Sequence, residues 1–457
     1  MAVIVAVVFY SGILFWTYRL KIAPDFTYLR YSYSPPSVYY YAASLVLAWI
    51  PAFVIPIKLQ RPSLVVYWFL YVLCVIPSAL IPLISVPGLG FRSVLLTGSV
   101  VLSFLLLGLI YFIDLSVVPI PRVPFPPNLF WLLFGLVFAG FNIALVLTFG
   151  IHVRPPPLSD VYGVRLQARE IVAEHGGYIG YILEWQQKVV NPFLIAYGLI
   201  RKAPLFLVIG VLGQLYLFSV EGAKGVYFSS AFLAILLVLC SQKRRKYFGR
   251  NVVQGAALLA LLAIVGDVLF GGRLLTSLFV RRLMVTPGLL TGFYFDFFSH
   301  NPLAHLGHSI LKPFVNYPYT SSPGFVIGTN YFANPLDSAN ANIWADGFAN
   351  FGYAGMFVFT AIAGVFLLAF DSLSRGLDLR LTAVLLGLPA IALSNTALFT
   401  TFLTHGLLFD LLLVAILPKS FSKDMETSLG TTGDGLSSLS AKGVSAARIP
   451  GRGLGRQ

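Results

Sequence analysis

Residues 63–86 read SLVVYWFLYVLCVIPSALIPLISV, a run without a single charged side chain. An α-helix rises about 1.5 Å per residue, so about 20 apolar residues cross the hydrocarbon core of a bilayer. This stretch is therefore predicted to be a transmembrane helix.

Comparable apolar runs recur along the whole chain and predict an all-α polytopic membrane protein with about twelve transmembrane helices. The short runs at 189–200 and 381–394 favour half-helices or strongly tilted helices. The runs other than 63–86 lie near 2–18, 39–57, 93–113, 129–150, 189–200, 204–219, 226–241, 252–272, 351–371, 381–394 and 397–417.

The composition excludes a soluble enzyme, a disordered chain and a disulfide scaffold. Hydrophobic residues make up 58% of the 457 residues and charged residues only 11%, against about 25% charged in soluble proteins. The net charge of +14 is expected at a basic cytoplasmic rim and at anionic lipid, and no nucleic-acid partner is predicted. Cys74 and Cys240 both lie in apolar runs, which excludes a cysteine-based metal site and disfavours a structural disulfide.

Lys and Arg in short loops predict the orientation of the chain. The cluster at 243–246 (KRRK) is assigned to the cytoplasm, and counting crossings outward places both termini there as well. Residues 19–38 fall on the outer side although they carry Arg19, Lys21 and Arg30. The loops predicted to share the cytoplasmic side with 243–246 carry Lys58/Arg61, Arg122, Arg201/Lys202, Arg375/Arg380 and Lys419/Lys423.

The domain organisation follows from the same map. Residues 1–418 are predicted to form one transmembrane domain with two long external loops, at about 151–188 and 273–350. Residues 419–457 are rich in Gly, Ser and Thr and lack periodicity, which predicts a disordered cytoplasmic tail.

In the first external loop, Arg165 and Arg169 stand four residues apart. On a helix both guanidinium groups would leave one face, and two such groups side by side match a diphosphate. The alternative is an interfacial amphipathic helix whose arginines touch lipid headgroups or pair with Glu170 and Glu174.

The second external loop opens with Arg273 and the pair Arg281-Arg282. Cations at an outer membrane surface run against the positive-inside trend. We therefore assign Arg281 and Arg282 to the same diphosphate site, with contact to lipid headgroups as the alternative.

Candidate proton-transfer groups follow in the second loop. Asp296 lies among aromatic residues that could raise its pKa by desolvation, although a capped turn would use the same residue. His300 and His308, with His305 between them, are further candidates. No metal site is predicted, because a zinc site would need more ligands at close spacing.

Amides and aromatic rings are dense at the end of this loop. Amides suit sugar hydroxyls, and aromatic faces suit the apolar faces of pyranose rings. Tyr294, Asn340, Asn342 and Trp344 are the candidate sugar-binding residues. A turn-rich cap over the bundle is the alternative.

The sequence lacks the motifs of several other classes of enzyme. No Asp-x-Asp motif stands in the external loops, which disfavours a nucleotide-sugar donor held by a divalent cation. A phosphate-binding Gly loop and a nucleophile elbow are also missing from the sequence. No cofactor is predicted.

Three ionisable residues fall inside apolar runs and are functional candidates for that reason: Asp267, His405 and Asp410. His405 and Asp410 could form a proton relay, as a transporter would require. Structural pairing, for example of Asp267 with Arg273, is the alternative.

Three stretches resemble the bacterial O-antigen polymerases, the Wzy-type oligosaccharide repeat-unit polymerases. The resemblance covers roughly residues 150–360. The stretches are Asp160-Val161-Tyr162 leading to Arg165, Arg169 and Val190-Asn191-Pro192; Arg282 to Pro287 with Tyr294-Phe295-Asp296-Phe297-Phe298; and Ala339-Asn340-Ala341-Asn342 with 346–355 (DGFANFGYAG).

The resemblance implies a GT-C-like fold and a metal-independent glycosyltransferase at the outer face of the cytoplasmic membrane. Such an enzyme transfers a glycan from polyprenyl diphosphate onto the free end of another lipid-linked repeat unit, and a chain-length regulator is a further partner. The Arg-x10-Gly patterns of the family are met by Arg165/Gly176, Arg169/Gly180 and Arg281/Gly292.

Related O-antigen ligases carry a His-Asn pair where this chain has Ala341-Asn342. That departure favours a polymerase over a ligase and leaves the general base open. Asp296 is the first candidate base, followed by His300 and His308 and then Asp346. The alternatives from other classes are a ligase-like transferase and a transporter or flippase of lipid-linked glycans.

Overall fold

A computed structural model describes residues 1–152, 154–157, 161–309 and 311–422. The chain is 74% helical without strands in this part, and eight helices are long and apolar enough to cross a membrane. The eight are α1 (Ala2–Asp25), α3 (Leu64–Ser85), α4 (Phe91–Phe112), α5 (Pro127–Phe149), α8 (Pro204–Glu221), α10 (Arg245–Phe270), α13 (Ile343–Leu373) and α15 (Leu398–Ile416).

Further helices complete the bundle. Three of them are shorter apolar helices: α2 (Val38–Val54), α9 (Lys224–Cys240) and α14 (Leu379–Leu393). The others are α6 (Val161–Glu174), α7 (178–201), α11 (276–298) and α12 (Pro323–Phe332).

Each of the twelve predicted apolar runs falls on one of these helices. The prediction of an all-helical polytopic membrane protein is therefore confirmed. Its core is filled by large side chains such as Trp68, Tyr71, Phe104 and Trp344, all fully buried.

The predicted second external loop is partly helical and packed into the bundle. Helix α11 lies directly against α3, because a side chain at Gly288 would meet the Pro77 backbone at 2.4 Å and Ser78 Oγ lies 2.9 Å from Thr291 Oγ1. The sequence pattern failed here because Arg281 and Arg282 interrupt an otherwise apolar helix.

Helix α13 consists of two helical segments separated by a sharp kink. The backbone breaks at Phe351 and at Gly352, whose φ of 61° is left-handed. Residues 343–350 then return along the longer part, since a Cβ on Gly355 would lie 2.0 Å from the Gly347 carbonyl oxygen. Only glycine allows the two backbones to approach this closely, so residues 343–350 form a half-helix inside the bundle.

The loops predicted to share one side meet at one end of the bundle, which we call the basic end. The tail begins there, in a turn at Lys419–Phe421, whereas residues 423–457 lie outside the described residues. The contacts that join the loops are Leu59 N to Arg245 O (2.9 Å), Arg61 Nη2 to Ile113 O (2.7 Å), Arg375 Nη1 to Leu115 O (3.0 Å), Arg122 Nη1 to Leu417 O (3.4 Å) and Arg201 Nη2 to Ser420 O (2.6 Å).

Candidate functional site

Three of the four arginines predicted to bind a diphosphate gather at the end of the bundle opposite the basic end. Arg281 and Arg282 lie on α11, and Arg165 lies on α6. Enclosure by protein lowers the pKa of Arg282, and the charges of Arg281 and Arg165 lower it further. Arg282 is nevertheless exposed at the surface of the protein. We call Arg165, Arg281 and Arg282 the arginine cluster.

The start of α11 is fixed by a buried carboxylate. Asp267 is 7% exposed and accepts hydrogen bonds from the backbone N–H groups of Leu275 (3.0 Å) and Thr276 (2.6 Å). Arg273 donates instead to the Asp25 carbonyl at 3.0 Å. The suggested pairing of Asp267 with Arg273 is therefore replaced by a helix cap, because the free N–H groups at a helix start need acceptors.

Arg281 is held in place by neighbouring side chains. Its Nε and Nη2 donate to Ser277 Oγ at 3.2 and 2.8 Å. Its guanidinium carbon lies 4.7 Å from the ring centre of Phe26 and 5.8 Å from that of Tyr31. Such cation–π contacts leave the outer edge of a guanidinium group free to bind an anion.

Two members of the cluster make no direct polar contact with the protein. Within the part of the chain that the structure describes, Arg165 and Arg282 make no hydrogen bond or ion pair. Arg169, the fourth predicted residue, is exposed on α6, and no contact among the described residues joins it to the cluster. The spacing from Arg165 was therefore insufficient to place Arg169 in the same site.

A group of buried ions lies next to the arginine cluster. Glu184 Oε2 lies 2.6 Å from Lys188 Nζ and 3.0 Å from His405 Nδ1. Glu221, the last residue of α8, is within electrostatic reach of Glu184, Lys188 and Arg165. We call Glu184, Lys188, Glu221 and His405 the buried ion group.

Sequence reasoning missed most of this group. Glu184 and Lys188 have the spacing of a helical ion pair, but they fell inside the stretch assigned to an external loop. The predicted relay from His405 to Asp410 is not formed, because His405 contacts Glu184 and Lys188. Both carboxylate oxygens of Asp410 lack a hydrogen-bond partner among the described residues.

Positive charge exceeds negative charge across the two groups. Arg165, Arg281, Arg282 and Lys188 are four cations, and Glu184 and Glu221 are two carboxylates. A partly enclosed surplus of two positive charges is unfavourable unless an anion compensates it. The arrangement is therefore typical of an anion-binding site.

Asp296 and His300 belong to a separate group further along α11. Tyr331 donates its hydroxyl to Asp296 Oδ2 at 2.6 Å, and His300 Nδ1 donates to the Asp296 carbonyl at 2.8 Å. Arg92 Nη1 lies 3.2 Å from His300 Nε2. No sequence pattern pointed to Arg92, which precedes His300 by 208 residues.

This second group is remote from the arginine cluster. Arg282 and Asp296 are 14 positions apart on α11, which at about 1.5 Å per residue is roughly 20 Å. A base must come within about 3 Å of the proton that it removes. Asp296 therefore lies too far from Arg282 to act beside a diphosphate held there.

The two remaining candidate bases differ in accessibility. His308 is half-buried beside Tyr317, and burial lowers its pKa. Asp346 is 6% exposed, and it accepts hydrogen bonds from Asn350 Nδ2 (3.0 Å) and Leu398 N (3.2 Å). We correct the assignment of Asp346, because its carboxylate joins the half-helix to α15.

Three of the four candidate sugar-binding residues are enclosed by protein. Tyr294 donates to the Ala339 carbonyl at 3.1 Å, Asn342 caps the half-helix at Trp344 N and Ala345 N, and Trp344 Nε1 donates to Thr360 Oγ1 at 3.0 Å. Tyr294, Asn342 and Trp344 are thus buried and bonded to other parts of the protein, and their contact with a sugar stays a prediction. Asn340 alone of the four is exposed.

The fold and these sites define a polytopic helical membrane protein with a cluster of arginines at one end of its bundle. Among the described residues, no group of three His, Cys, Asp or Glu side chains could hold a metal ion. In comparisons with known proteins, no protein-family model, curated protein or solved structure matches this chain.

Proposed function

We propose that the protein is a GT-C-like glycosyltransferase that polymerises lipid-linked oligosaccharide repeat units. It transfers a glycan from polyprenyl diphosphate to an acceptor sugar hydroxyl at the outer face of the cytoplasmic membrane. The observation that carries the proposal is the arginine cluster, in which Arg165 and Arg282 make no hydrogen bond or ion pair with the described residues.

The chemistry of the cluster suits a lipid diphosphate. Guanidinium groups donate bidentate hydrogen bonds to phosphate oxygens, and three of them can share the charge of two phosphates. The cluster also lies at one end of a bundle of apolar helices. A polyprenyl tail could therefore stay among the helices while its diphosphate meets the arginines and its sugars extend into water.

The cluster would act mainly on the leaving group. As the bond between the anomeric carbon and the diphosphate breaks, negative charge develops on the bridging oxygen. Fixed cations aimed at that oxygen stabilise the transition state, and loss of one such donor typically costs about 10²–10³ in rate. Lipid anchoring of both substrates at one depth supplies part of their orientation.

The test is reconstitution of the purified protein in liposomes with lipid-linked repeat units, followed by electrophoresis for laddered products. The wild type should extend chains. Arg282→Ala should lose extension, whereas Arg61→Ala at the basic end, a matched control, should retain it. A wild type that forms no ladder would refute the proposal.

A transporter or flippase is the second candidate. The buried ion group favours it, because charged residues among membrane helices often line a transport path. The same liposomes separate the two functions. A flippase would move labelled lipid-linked sugar across the bilayer without forming any glycosidic bond.

A ligase-like transferase differs from a polymerase only in its acceptor. Offering the liposomes a lipid-anchored oligosaccharide without a diphosphate tests it. A ligase would glycosylate that acceptor, whereas a polymerase would require a second diphosphate-linked repeat unit.

A further inference from the structure

The proposed transfer needs a base close to the arginine cluster, and Asp296 lies roughly 20 Å away along α11. Two carboxylates of the buried ion group are nearer. We propose that Glu221 accepts the proton of the acceptor hydroxyl. This inference rests on the proposed function and assigns a catalytic residue within it.

The fold holds Glu221 close to the cluster. Glu221 is the last residue of α8, and Gly222 follows it with a left-handed φ of 64°. A Cβ on Gly222 would lie 2.7 Å from the carbonyl oxygen of Val161. The end of α8 is thus pressed against the first residue of α6, and Arg165 stands one turn further along α6.

Glu221 and Glu184 differ in the hydrogen-bond partners of their carboxylate oxygens. Glu184 Oε2 already contacts Lys188 at 2.6 Å and His405 at 3.0 Å. Glu221 Oε2 is a buried atom without a hydrogen-bond partner among the described residues. A buried acceptor without a donor costs free energy, and an incoming hydroxyl group would remove that cost.

The surroundings of Glu221 act on its carboxylate in both directions. Burial and the charge of Glu184 oppose the charged form, whereas Arg165 and Lys188, both within electrostatic reach, favour it. Glu184 is itself held by its ion pair with Lys188 and its contact with His405. Glu184, Lys188 and His405 are thus positioning residues.

In the proposed transfer, one bond to the anomeric carbon forms as another breaks. The acceptor oxygen forms a bond to the anomeric carbon as the bond from that carbon to the diphosphate oxygen breaks. The electron pair leaves with the diphosphate, which faces Arg165 and Arg282. The hydroxyl proton moves to the Glu221 carboxylate, and water then takes it and restores the carboxylate.

The first measurement is chain extension by Glu221→Gln in liposomes with lipid-linked repeat units. General-base catalysis contributes about 10²–10⁴ in rate, so extension should fall by about that factor. Binding of the lipid-linked donor should remain at the wild-type level. Asp296→Asn is the matched control and should retain extension within a few-fold.

Azide distinguishes a base from a residue that only shapes the site. Azide attacks the anomeric carbon without losing a proton, so it needs no base. Adding azide to Glu221→Gln should restore consumption of the donor, with glycosyl azide as the product. Should Glu221→Gln fold poorly, Glu221→Asp keeps a carboxylate and should retain part of the wild-type rate.

Two results would overturn the assignment of Glu221 while leaving the proposed function intact. The first is chain extension by Glu221→Gln at the wild-type rate. The second is that Asp296→Asn loses extension and azide restores its donor consumption, whereas azide does not restore that of Glu221→Gln. A wild type that consumes no donor and forms no ladder would instead refute the transferase itself, and the role of Glu221 with it.

Discussion

The two ends of the helix bundle use arginine in different ways. At the basic end, Arg61, Arg122 and Arg375 donate hydrogen bonds to backbone carbonyls of neighbouring loops. At the opposite end, Arg165 and Arg282 make no hydrogen bond or ion pair with the described residues. Arginines thus fasten loops at the basic end, whereas Arg165 and Arg282 remain available at the other end.

This difference separates structural arginines from candidate ligand-binding ones. The positive-inside pattern explains why cations collect in the loops of the basic end. It offers no reason for three guanidinium groups to approach one another at the other end, where they repel. An anion that binds between them is the physical reason that we infer.

Arg282→Ala should have the largest effect. We expect chain extension to fall by about 10²–10³, because one donor to the leaving diphosphate is lost. The rate of ladder formation in liposomes measures this. Arg282→Lys, which keeps the charge but loses the planar fork, should fall between the wild type and Arg282→Ala. Chain extension by Arg282→Ala at the wild-type rate would contradict the distinction between structural and ligand-binding arginines.

Asp346→Ala tests whether the Asp346 carboxylate, which lies away from the basic end, has only a structural role. It leaves the amide of Asn350 and the N–H of Leu398 without this acceptor. We expect the free energy of unfolding to fall by about 1–3 kcal/mol. Thermal unfolding in detergent measures the loss. An unchanged midpoint with abolished extension would return Asp346 to the catalytic candidates.

Arg61→Ala should weaken the basic end without touching the chemistry. The carbonyl oxygens of Ile110 and Ile113 lose the guanidinium group of Arg61 as a donor, so the free energy of unfolding should fall by about 1 kcal/mol. Extension per folded molecule should equal that of the wild type. A large loss of extension at an unchanged melting temperature would show that the two ends are not independent.

Arg169→Ala should have the smallest effect. Its side chain is exposed, and surface substitutions usually change stability by less than about 0.5 kcal/mol. Extension should stay near the wild-type level, whereas Arg165→Ala, the matched variant one helical turn away, should lose most of it. Equal losses in both variants would place Arg169 in the diphosphate site after all.

Much of the fold could be predicted from local sequence. The apolar runs predicted the helices, and the basic loops predicted which connections meet at one end. The half-helix 343–350 could not be predicted, because it depends on the close approach of Gly347 to Gly355. Helix α11 was missed because its arginines masked an apolar helix.

The candidate site was predicted only in part. Arg165, Arg281 and Arg282 came from spacing and from their position against the charge trend. Glu221 and His405 come from different helices, and no local pattern relates them to Arg165. The burial of Tyr294, Asn342 and Trp344 could not be predicted, since their residue types suit an exposed sugar site and a buried helix start equally well.

The sequence by itself determined that the chain is a helical membrane protein and which loops meet at its basic end. Those properties depend on the transfer of short segments into a bilayer and on local charge, both of which are readable residue by residue. The tertiary structure decided which arginines gather and which carboxylate lies free beside them. Such pairings depend on how distant helices pack, and packing is a property of the whole chain.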